Sequence, residues 1–143
     1  MRTVGDDGVS KPSGDLLDTI YLCQRRQEWY RDYASDSGAE PLGFVGSASL
    51  DTPPARVAGD IAERLSFGVE ERQAFPNKGE VRRVLIDRIE SIGVLVMVNG
   101  VVGADTHRKL DPAEFRGFAL SDPLAPLIFV NGADAKAAQL FTL

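Results

Sequence analysis

At 143 residues, 43% apolar and 26% charged, the chain has room for one domain with a real core. Its net charge of −5 argues against a general binder of nucleic acid or of an anionic membrane surface, because phosphate recognition needs a positive field. No apolar run approaches a membrane-spanning length, "MRTVGDDGVSKPSGD" lacks the apolar centre of a secretory signal, and the single Cys23 cannot close an internal disulfide, so a cytoplasmic setting is expected.

Residues 1–12 are rich in Gly and Asp and are expected to form a flexible arm or the remnant of a linker, with one domain over residues 13–143. Ser13 reads as a helix N-cap, with Asp15 adding negative charge in the first turn. The stretch "GDLLDTIYLCQRRQEWYRDYAS" is helical in pattern from Gly14 to about Ser35. Leu16, Ile20, Cys23, Tyr30 and Ala34 share one stripe, Leu17 and Tyr21 lie beside it, and Gly38 ends it. "PLGFVGSASL" offers a short extended piece, weakened by its glycines. Asp51 or Thr52 is expected to cap the next helix, whose buried stripe is Val57, Ala58, Ile61, Ala62 and Leu65. After a break at Pro76 and Asn77, a third helix is predicted from about Glu80 to Ser91, with Val81, Val84, Leu85, Arg88 and Ile92 near one face and Gly93 closing it.

The texture then changes. "VLVMV" (Val94 to Val98) is a β-branched apolar run followed by the Asn99-Gly100 turn signal. Phe118 to Leu120 and Leu127 to Val130 are two further candidate strands, and a last helix starts near Asp134. Helices followed by short strands predict an α+β domain with a small, mostly antiparallel sheet of about three strands.

The chemistry-bearing residues are sparse. One His and one Cys are too few for a transition-metal site made by this chain alone, and no calcium-loop spacing occurs. No nucleophile elbow, dinucleotide fingerprint or phosphate loop is present. His107, in the polar, turn-like "GADTHRKLDP", reads as a surface or capping residue, and Cys23 as a small buried hydrophobe. "QRRQEWYRDY" interleaves arginines with aromatics, but Glu28, Asp32 and the overall acidity favour an amphipathic helix in which Arg25 stacks on Trp29.

Two stretches carry a family resemblance. "LDTIYLCQRRQEWYRDYA" and "GVLVMVNGVVGADTHRKLDPAEFRGFALSDPLAPLIFVNGADAKAAQLFTL" resemble the ImmA/IrrE family of zinc metallopeptidases, and more narrowly the members in which a helix-turn-helix domain precedes the peptidase-like part. In that family the segment matching "AAQLFTL" opens a zincin-like active-site helix carrying His-Glu-x-x-His, two ligands on one helical face with a general base between them. The resemblance therefore implies an incomplete domain that stops just before the motif, with zinc in the intact family member and none held by this chain. It implies no catalytic residue among residues 1–143. It places Gly117, Phe118, Ala119 and Leu120 on the substrate-side strand, where an extended peptide adds by β-augmentation. Asn131 to Asp134 would be the turn and cap leading into the active-site helix. The implied partners are a peptide or repressor protein as substrate, the missing C-terminal half, or a DNA-binding regulator, with no direct nucleic acid and no membrane. The competing expectation is a naturally short, non-catalytic interaction module.

Overall fold

A computed structural model describes residues 11–73 and 75–143. The arm expected over residues 1–12 therefore lies, apart from Lys11 and Pro12, outside the described residues. Helix α1 (Gly14–Asp36) starts where its cap predicts: the Ser13 hydroxyl accepts from the Leu16 amide at 3.1 Å. Glu114 accepts from the Ser13 backbone and side chain at 2.8 and 2.7 Å, tying the cap to the far half of the chain. Leu16, Thr19, Cys23 and Ala34 are its buried residues, and Gly38 (φ +73°) takes the left-handed turn that ends it.

The segment after α1 departs from expectation. "PLGFVGSASL" forms turns, with the Val45 amide bonded to Leu42 and Ser47 to Phe44, because its glycines favour the turn over a strand. Helix α2 (Pro54–Arg64) has Pro53 at its N-cap with no side-chain cap. Thr52 turns its hydroxyl back to the Ser49 amide at 3.0 Å and is unavailable as the cap. The predicted buried stripe of α2 is also corrected: only Leu65, just past the helix, is buried, and Ile61 is 53% exposed. The described elements leave that stripe largely uncovered. Arg64 instead lies over the Phe44 ring at 5.0 Å. A short helix α3 (Val69–Gln73), not foreseen from the sequence, precedes α4 (Lys78–Ser91). Asn77 caps α4 by accepting from the Glu80 amide at 2.9 Å, and Val81, Leu85 and Ile89 face the core. Arg88 reaches back over Phe67 and donates to the carbonyls of Leu65 and Ser66, holding the turn where Ser66 has a positive φ.

Strands β1 (Leu95–Asn99), β4 (Gly117–Leu120) and β5 (Leu127–Asn131) form one sheet in the order β1-β5-β4. The domain is α+β as expected, but this sheet is mixed. β4 runs antiparallel to β5, with Gly117 opposite Val130, whereas β1 runs parallel to it, with Leu95 opposite Leu127. The parallel pair follows from the long excursion between β1 and β5, which returns the chain in its original direction. That excursion holds β2 (Val101–Val102) and β3 (Asp105–Lys109), an antiparallel pair with a register shift. Here the polar stretch "DTHRK" is a strand where a turn was expected. Arg108 anchors it by donating to Asp15 at 2.6 Å and Asp18 at 2.7 Å on α1.

The sheet separates two apolar layers. Under α1 lie Leu95 and Met97 of β1, Leu127 and Phe129 of β5, and Phe118 and Leu120 of β4. On the other face Val96 and Ile128 pack with α4 and with Leu140 and Leu143, which belong to or follow helix α5 (Lys136–Thr142). No helix among the described residues is long and apolar enough to cross a membrane.

Phe129 is 1% exposed and stacks on Phe118 at 5.0 Å, with Phe115 tilted against both. Truncating Phe129→Ala should cost about 3–5 kcal/mol, readable as a lower urea midpoint with an unchanged slope. A loss under about 1 kcal/mol would show that this aromatic layer does not hold the sheet to α1.

Candidate functional site

The candidate site is built from β4, its neighbour β5 and the first turns of α5. β5 is paired on both sides and reads as a continuous apolar run, as a central strand should. β4 is therefore an edge. The Asn131 amide donates to the Arg116 carbonyl at 2.9 Å, which makes Arg116 and Asn131 a hydrogen-bonded pair of the antiparallel ladder. The alternation of that ladder then turns the amides and carbonyls of Phe118 and Leu120 toward β5 and those of Gly117 and Ala119 outward. Among the described residues no backbone group bonds to the outward set.

The four predicted strand residues thus divide. Phe118 is buried in the aromatic cluster, and Leu120 is packed against the same layer, so their side chains belong to the core. Gly117 and Ala119 face the edge; Ala119 is exposed on the α5 side, whereas Gly117 is buried where α5 approaches. Gln27 ties the connection between β4 and β5 to α1, donating to the Leu120 carbonyl at 3.1 Å and the Ala125 carbonyl at 2.8 Å. Nothing in the sequence pattern singled out Gln27, because its role depends on how α1 crosses the sheet.

At the other end, α5 crowds β4. A Cβ on Gly117 would stand 2.5 Å from the Phe129 carbonyl oxygen and 2.5 Å from Thr142 Cγ2, so only glycine lets the helix and strand approach this closely. The turn from Asn131 to Asp134 launches α5 as predicted. Asn131 is fully buried; its side-chain amide donates to the Phe115 carbonyl at 3.1 Å and its oxygen accepts from the Ala133 amide at 3.0 Å. The cap position itself is Ala135, without a side-chain bond, while Asp134 accepts from the Ala135 amide and from Arg116 at 3.2 Å. Gln139, buried, reaches back from α5 to the carbonyls of Gly132 at 3.1 Å and Asp134 at 2.7 Å. It satisfies two acceptors that a side-chain cap would not reach.

The two other chemistry-bearing residues lie apart from this site. His107 is exposed on β3, its amide bonded to the Asp105 carboxylate at 2.9 Å. Cys23 is fully buried, with its sulfur 3.8 Å from that of Met97. Burial pushes its thiol up to about 11, against a smaller lowering by Arg26. Among the described residues no three His, Cys, Asp or Glu side chains converge to hold a metal ion. The sole imidazole and the sole thiol sit in different elements, one in solvent and one in the core, so this residue set does not fit a zinc ion. Trp29 stacks on Tyr33 at 6.0 Å and 8°, so the arginine–tryptophan stack expected at Arg25 is replaced by an aromatic one. No family model, no curated protein and no solved structure matches the chain.

Two outcomes are expected. Gly117→Val should destabilise the fold by about 1–3 kcal/mol through forced displacement of α5, and an unchanged melting temperature would contradict the close approach. Cys23 should resist thiol reagents in the native state. Its folded pKa is raised, so its contribution to stability is complete below the unfolded value near 9.0 and is lost as pH rises toward about 11. A Cys23→Ala variant should lack that decline between the two values; matching pH profiles would refute the assignment.

Proposed function

We propose that this chain is the peptide-docking framework of an ImmA/IrrE-like peptidase domain, acting in the cytoplasm on a repressor-type protein. The observation that carries the reading is the free edge of β4. Gly117 and Ala119 turn two amides and two carbonyls outward beside the helix that leaves β5. An extended peptide adds there as a further strand, its main chain bonded to those groups and its alternate side chains facing α5. The family resemblance supplies the rest of the reading: in the intact domain the helix that α5 begins would bring zinc and hence hydrolysis. This chain's own part is to bind the peptide and orient it.

A second reading is a non-catalytic interaction module, which binds a partner by the same edge without cutting it. It is supported by the exposure of Ala119 on that edge, where no backbone group among the described residues bonds to its amide or carbonyl. Continuation of the genomic reading frame past the Leu143 codon into His-Glu-x-x-His would favour the peptidase, and an immediate stop the module.

Ala119→Pro tests the shared step. Its amide faces outward, so proline removes one edge donor and leaves the β5 ladder whole. Binding of a synthetic octapeptide of alternating Val and Thr should fall about tenfold while the melting temperature stays within a few degrees. In the unaltered chain the same peptide should slow amide exchange at the exposed Ala119. Unchanged exchange there would overturn the docking role.

A further inference from the structure

We propose that the outer face of α1 between Leu22 and Trp29 is a second docking surface, taking an acidic segment of a partner protein that carries an apolar anchor residue. The surface is distinct from the β4 edge and does not depend on it. Leu22, Arg25, Arg26 and Trp29 line a shallow depression of about 270 Å³. The β2–β3 turn lies against Leu22, where a Cβ on Gly103 would come within 3.3 Å. A smaller hollow of about 50 Å³ shares Leu22 and Arg26 and continues toward Met97 and Val101. Trp29 is 70% exposed, an uncommon position for the most easily buried aromatic surface in the chain.

Charge states what fits. Arg25 and Arg26 are exposed, and among the described residues neither has an acidic partner. The arginines that could share carboxylates with them are already engaged. Arg108 takes Asp15 and Asp18, about two to three turns earlier on α1, and Arg31 takes Asp32 and Asp122. Successive helical residues are about 100° apart, so Glu28 lies away from Arg26 but one turn from Arg25, with which it forms no ion pair among the described residues. The result is two guanidinium groups beside an apolar hollow on a chain of net charge −5. Guanidinium groups recognise carboxylates through paired N–H donors, and the hollow has room for one aliphatic or aromatic side chain. A nucleic-acid strand fits less well, because Glu28, Asp32 and Asp36 continue along the same helix and repel a long polyanion.

Trp29 is the sole tryptophan, so its emission reports on this surface alone. Four probes are titrated into the full chain: acetylated decapeptides of Glu with Leu, Lys with Leu, and Ser with Leu, and an oligothymidylate. The Glu/Leu peptide should blue-shift Trp29 saturably. The response should weaken about tenfold in an Arg25→Glu, Arg26→Glu double variant and should weaken in the unaltered chain as salt is raised. Salt dependence in the unaltered chain keeps the test decisive if the double variant fails to fold. No saturable shift up to millimolar Glu/Leu peptide, an equal response to the Ser/Leu peptide, or a stronger one to oligothymidylate would each overturn the proposal. Ala119→Pro should leave the Trp29 response intact, which separates this surface from the β4 edge.

Discussion

The fold depends on the burial of β5. Leu127, Phe129, Val130 and Asn131 are each at most 1% exposed, with β1 on one side, β4 on the other and a helical layer on each face. Burying an apolar side chain of this kind contributes roughly 1.5–3 kcal/mol, and no other described strand is covered so completely. The strand's polar end is the telling part. Asn131 could not be buried there unless its amide and carbonyl were both engaged, and its bonds to Phe115 and Ala133 do this. Those bonds define the direction in which the chain leaves the sheet, and so where α5 begins.

A second constraint sits beside it. A Cβ on Gly100 would stand 2.9 Å from the Ala133 amide nitrogen, and one on Gly132 would stand 3.0 Å from the Asn99 carbonyl carbon. The turn after β1 and the turn after β5 are therefore in backbone contact, with the Gly132 amide bonded to the Asn99 carbonyl at 2.8 Å. Parallel strands ending level with one another bring their exits together, and only residues without side chains allow this spacing. Gln139 then returns from α5 to the same turn, so the helix is held at its start by the turn and farther along by Gly117.

Much of this was legible from residue pattern, and the reasons differ by element. α1 and α4 carry their own caps, Ser13 and Asn77, and a single stripe of apolar residues, so local signals and tertiary packing agree. β1 and β5 are short apolar runs bounded by turn residues and admit few other readings. The failures fall where a local signal has no packing behind it or packing has no local signal. The α2 stripe is strongly amphipathic in sequence, yet the described elements do not cover it. "DTHRK" has no strand pattern; its pairing comes from Val101 and Val102 and its anchorage from Arg108. The parallel pairing of β1 with β5 depends on the long excursion through β2, β3 and β4, and no single segment encodes that. Within the candidate site, the strand was legible, while the division of Gly117 and Ala119 from Phe118 and Leu120 required the ladder.

Helix α1 connects the two proposed binding surfaces without merging them. Gln27 and Trp29 are two residues apart, about 200° around the helix, and so face opposite sides. Gln27 faces inward, where it holds the end of β4 through Leu120 and the loop through Ala125. Trp29 faces outward among the unpaired arginines. A segment bound on the outer face therefore need not displace one bound at the sheet edge. The same turn of helix positions both, so its placement over the Phe118–Phe129 layer sets the geometry of each. Arg25 and Arg26 carry no ion pair among the described residues while Arg31 and Arg108 are matched, so the depression keeps an attraction for carboxylates of its own. At physiological ionic strength charges act over about 8 Å, so that attraction stays local to the depression, and a peptide docked at the β4 edge as proposed would be selected by main-chain bonding and shape.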